Sequence, residues 1–122
     1  MIKVAMSLAL AAASAQSADQ FDLICTGKSQ GYPADQSENA TYHVDLAAKQ
    51  WCRGECSVQV IERIEPSVIW FKDQPTTSGK GEWIEYVDRV SGKWVREMGP
   101  WVTEGTCEPA PFTGFPSAPN KF

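Results

Sequence analysis

Four cysteines, one histidine and a scatter of carboxylates are the side chains in this sequence that could do chemistry. Cys25, Cys52, Cys56 and Cys107 form an even set. Two chemistries suit them. The C-x3-C spacing of Cys52 and Cys56, with His43, offers three zinc ligands. The alternative is a pair of disulfides, the default in an oxidising compartment. No second Cys/His pair follows Cys56, and redox motifs are usually C-x-x-C beside a βαβ unit. Disulfides are therefore expected, with no metal and no cofactor. Of the three connectivities, Cys25–Cys107 would close the domain and Cys52–Cys56 would pinch Arg53-Gly54-Glu55 into a tight loop.

Catalytic groups are sparse. A Ser-His-Asp triad would have to use His43, and no serine sits in G-x-S-x-G. H-E-x-x-H and a glycine-rich phosphate loop are absent from the sequence. Glu62 with Glu65, and Glu82 with Glu85, are acid pairs, but glycoside hydrolysis needs two carboxylates held across a cleft. These acids are expected to be surface charges, and His43 an exposed strand residue. Ser91 and Lys93 could form a Ser-Lys pair, but both fall at a predicted turn. No catalytic residue is expected, and the chain is not expected to be an enzyme.

Five tryptophans remain, among thirteen aromatic residues. Aromatic side chains fill small cores, and tryptophan is also enriched at binding hot spots. Each tryptophan is expected in the core first; Trp51 and Trp94, beside predicted turns, are the ones expected at the surface if any is. With Ser91 and Lys93 they make the candidate binding residues.

Positioning these residues is the task of a small β domain. Residues 1–15 read as an export signal: Lys3, an apolar run from Val4 to Ala13, and the A-x-A site Ala13-Ser14-Ala15. Its removal would leave 107 of the 122 residues, a single domain whose net charge falls from −4 to −5 with the loss of Lys3. Nucleic acid and anionic membranes favour basic partners, so both are disfavoured. A cationic protein is allowed. The expected location is periplasmic or extracellular, without membrane insertion.

Residues 16–108 form the predicted all-β domain, and residues 109–122 a Pro/Phe-rich tail laid on it. Strands are expected over 21–27 (odd residues inward), 41–46, 58–64, 68–71 and 101–108. Between the last two, Glu82 to Met98 reads as one long hairpin turning at Ser91-Gly92. Charges at Glu85, Arg89, Lys93 and Glu97 fit a wet face. An internal echo, V-D-x5-W, recurs at Val44-Asp45…Trp51 and Val87-Asp88…Trp94, and predicts two similar hairpins with an Asp at each turn.

About seven strands at this spacing make an antiparallel meander closing into a barrel, or alternatively a two-sheet sandwich. The export signal, small size, acidity, strand meander and Ser91-Gly92 turn together resemble the layout of the small bacterial inhibitors of lysozyme. Those are disulfide-bearing periplasmic barrels that meet a cationic enzyme. The resemblance implies a protein-binding role and transfers no site residue. A small-ligand barrel and a structural envelope protein are the alternatives. The abundance of large inward residues argues for a filled core over a cavity.

Overall fold

The computed structural model describes residues 18–30, 36–54, 57–74 and 82–116. The proposed export signal and the end of the tail lie outside the described residues. Among the described residues nine antiparallel strands form one sheet: β1 (Gln20–Ser29), β2 (Ser37–Asp45), β3 (Gln50–Arg53), β4 (Gln59–Val60), β5 (Arg63–Ile64), β6 (Val68–Gln74), β7 (Trp83–Asp88), β8 (Lys93–Met98) and β9 (Trp101–Ala110). Their order, β4-β3-β2-β1-β9-β8-β7-β6-β5, is a meander in which the first and last strands pair at the centre.

This order dictates a curled sheet. Its two edge strands, β4 and β5, are joined through Ile61 and Glu62 alone. Three Cα steps span at most about 11 Å. The edges must therefore approach one another, and the sheet is a curled half-barrel. The joining residues bond to both sides: the Ile61 N–H donates to Lys49 O (2.9 Å), and the Glu62 N–H to Trp70 O (3.0 Å). The single strand expected over 58–64 is thus two short pieces. Turning Ile61 into the core while its backbone reaches Lys49 breaks the alternation.

Alternation sets the core. Leu23 and Cys25 on β1, Tyr42 and Val44 on β2, Trp51 on β3, Ile69 and Phe71 on β6, Val87 on β7, Trp94 on β8 and Cys107 on β9 are all buried. The register slips between Trp70 and Lys72, inserting Phe71 as an extra residue. Such a bulge re-aims a side chain, and the Phe71 ring stacks on Tyr42 at 4.6 Å between centroids.

Cys25 lies directly opposite Cys107 in the β1–β9 register, and the two form the expected disulfide. It joins strands that meet only after the chain has traversed the whole sheet. The other proposed pair, Cys52–Cys56, includes Cys56, which lies outside the described residues. Further along the same seam Gly27 faces Gly105. A Cβ on Gly27 would meet Glu104 O at 2.3 Å, and one on Gly105 would meet Thr26 O at 2.0 Å. Only glycine permits that approach of β1 to β9.

The two V-D-x5-W segments form matching hairpins. Val44 faces Trp51 across β2–β3, and Val87 faces Trp94 across β7–β8. Asp45 Oδ1 accepts from the Ala48 N–H at 3.0 Å, and Asp88 Oδ1 from Val90 and Ser91 at 2.8 and 3.0 Å. No helix long and apolar enough to cross a membrane occurs among the described residues.

Candidate functional site: a buried polar network and an exposed turn

Glu85 is the largest departure from the sequence reading. Expected on a wet face, it is completely buried. The physical reason is parity: Trp83, Glu85 and Val87 alternate on one strand, so the carboxylate points inward with its neighbours. It is fully engaged there. Oε2 accepts from Arg53 Nε at 3.0 Å and from the Tyr42 hydroxyl, and Oε1 accepts from Trp83 Nε1 at 2.8 Å. The Tyr42 oxygen in turn accepts from Trp94 Nε1 at 2.9 Å.

Every partner of the Glu85 carboxylate is a donor. Burial, then the negative charge of Glu85, pushes the Tyr42 hydroxyl well above the ordinary phenol range and keeps it a donor. Burial opposes the charge of Arg53, but Glu85 outweighs it and raises the guanidinium pKa. The network spans β2, β3, β7 and β8. It leaves no lone pair of the carboxylate aimed at open solvent, so its effect is to lock the interior.

Trp51 and Trp94, expected to be exposed binding residues, are both wholly buried. Their place beside turns misled; each shares the inward face with the valine opposite it. The Trp94 indole N–H is satisfied by Tyr42, whereas Trp51 Nε1 has no hydrogen-bond partner among the described residues. Neither ring can meet a macromolecular partner at the surface.

His43 is likewise not an exposed strand residue. It faces Asp22 across β1–β2, and its Nδ1 lies 2.9 Å from Asp22 Oδ1. Thr113, from the tail, completes the cluster: its hydroxyl donates to Asp22 Oδ2 at 2.7 Å and lies 3.2 Å from His43 Nδ1. In a hydrolase triad the acid takes one imidazole nitrogen and the nucleophile the other. Here Asp22 and Thr113 converge on the same nitrogen, an arrangement that fastens the tail to β1 and β2. His43 also faces Cys52 across β2–β3, but the zinc set would need Cys56, outside the described residues.

Ser91 and Lys93 do lie together, both exposed, on the β7–β8 turn. The turn is densely bonded. Besides the two bonds to Asp88 Oδ1, the Gly92 N–H donates to Asp88 O (2.8 Å), the Lys93 N–H to Ser91 Oγ (3.1 Å) and the Arg89 N–H to Ser67 O (2.6 Å). Gly92 O accepts from the Cys107 N–H at 2.8 Å, tying the turn to the disulfide strand. Gly92 has φ +81°, and a Cβ there would stand 3.0 Å from Cys107 O. At the tip Val90 is 85% exposed, the most exposed of the large hydrophobic residues described.

Comparison with protein-family models, curated proteins and solved structures gives no match.

Proposed function

We propose that this protein is an exported, non-catalytic β domain that binds a protein partner in the cell envelope, and that the β7–β8 turn is its contact element. The observation that carries this reading is Val90: an apolar side chain held out in solvent on a turn fixed at both ends. Burying such a side chain in a partner's cleft is favourable. A turn already ordered before contact loses little conformational freedom on binding. Arg89, Ser91 and Lys93 flank Val90 and supply polar contacts around it. The acidic body would orient a cationic partner in the encounter, an effect that salt weakens.

Export is supported by the apolar leader with its A-x-A site and by the Cys25–Cys107 disulfide. The test is a pull-down from envelope extract with oxidised mature protein, at low and raised salt, beside a Val90→Asp variant. One stoichiometric partner, weakened by salt and lost in the variant, is the expected result. The same proteins retained by Val90→Asp would refute the role of the turn.

A further inference from the structure

Trp51, Trp94, Tyr42 and Phe71 pack together in the interior of the half-barrel, and beside the β7–β8 turn the surface is indented. A cleft of about 350 Å³ enters there. Its walls are Phe21, Leu23, Ile69, Val87, Cys107 and Pro109. Four of these, Leu23, Ile69, Val87 and Cys107, are inward-facing core residues.

The rim is polar and carries three groups of different availability. Gln20 is occupied by Asp45, with Nε2 3.0 Å from Oδ2. Asp88 is occupied by the backbone of its own turn, which lowers its carboxyl pKa through the Ser91 and Val90 N–H groups. Arg89 is exposed and lines the cleft, and its guanidinium makes no ion pair among the described residues. An apolar cleft with one uncommitted cation at its mouth is complementary to an amphipathic anion.

We infer that this cleft is a binding site for a small carboxylate with an aliphatic tail, the tail along Phe21 and Pro109 over a floor of Leu23, Ile69 and Val87 and the carboxylate at Arg89. The volume stands at the lower end of the roughly 300–1,000 Å³ found for small-molecule sites, which sets the ligand at medium-chain length. A guanidinium recognises a carboxylate in a planar, two-point contact. The site shares Arg89 with the proposed contact turn but does not use Val90, so the octanoate titration and the Val90→Asp pull-down test the two readings separately.

Octanoate is the probe, with octylammonium of equal tail length as its charge-reversed control. Titration of ¹⁵N-labelled, oxidised mature protein is expected to shift the amides of Phe21, Leu23, Val87, Gly92 and Cys107 saturably with octanoate. Octylammonium should bind at least ten-fold more weakly. Arg89→Glu, at an exposed turn position, should weaken octanoate by about ten-fold, the scale of one charge-assisted hydrogen bond. Ala18→Trp, at the exposed rim, should obstruct the cleft and abolish the shifts while the melting temperature holds. Absence of saturable shifts with octanoate, equal binding of the two probes, or an unaltered affinity in Arg89→Glu would each overturn the assignment. Failure of the Val90 pull-down would not touch it.

Discussion

Arg53 Nε lies 3.0 Å from Glu85 Oε2, pairing a guanidinium that is 28% exposed with a carboxylate that solvent does not reach. The asymmetry decides what each partner does. Glu85 depends on its three donors for all its stabilisation, while Arg53 can fall back on water. Arg53→Met should therefore leave a buried charge with only the neutral donors Tyr42 and Trp83. Breaking a buried pair costs about 3–5 kcal/mol, and the partial exposure of Arg53 places this one at about 2–3 kcal/mol. Urea unfolding at neutral pH measures it. A loss under about 0.5 kcal/mol would mean the pair does not hold the interior.

The two core tryptophans offer an internal control. Both rings are fully buried, but among the described residues only the Trp94 N–H has an acceptor. Trp94→Phe removes volume and a hydrogen bond to Tyr42. Trp51→Phe removes volume and an unpaired donor. The Trp94 variant should be the less stable by about 1 kcal/mol. Equal losses in the two denaturation curves would contradict the hydrogen-bond assignment.

The twin turns make the protein sensitive to acid. Asp45 is held below the ordinary carboxyl range by the Ala48 N–H and then Gln20, and Asp88 by the Ser91 and Val90 N–H groups. A carboxyl whose folded pKa is depressed stabilises the fold above its unfolded value, about 3.9. That contribution disappears as pH falls through the folded value. Asparagine keeps an accepting oxygen and does not titrate. The Asp45→Asn/Asp88→Asn variant should therefore lose less melting temperature than wild type between about pH 5 and pH 2. Identical acid limbs would refute this.

Tyr42 acts at the other limb. Its folded pKa is raised, so its contribution is complete below the unfolded value of about 10 and is lost as pH climbs towards the folded one. Its phenolate should form only as the chain unfolds. Absorbance titration of Tyr42→Phe should therefore match wild type up to the alkaline unfolding transition and differ from it only within the transition. A smaller signal before the transition in the variant would show that Tyr42 ionises in the folded protein.

Much of the architecture was legible from local pattern. Ser91-Gly92 marked the hairpin, the V-D-x5-W echo marked two equivalent turns, and the even cysteine set pointed to Cys25–Cys107. What escaped was anything that depends on parity overriding residue type. Glu85 reads as a surface charge until it is noticed that Trp83 and Val87 share its face. Trp51 and Trp94 read as exposed until they are paired with Val44 and Val87. The Asp22–His43–Thr113 cluster draws on three distant segments, and only the β1–β2 register and the path of the tail bring them together.

The most direct test of the protein-binding account is a photo-crosslinking amino acid placed at Val90 and, in a separate protein, at Val60. Val60 is also well exposed, at 70%, but lies on the edge strand β4 and not on the turn. In envelope extract the account predicts one discrete protein adduct from position 90 and none from position 60. No adduct at position 90, or the same set of adducts from both positions, would contradict it.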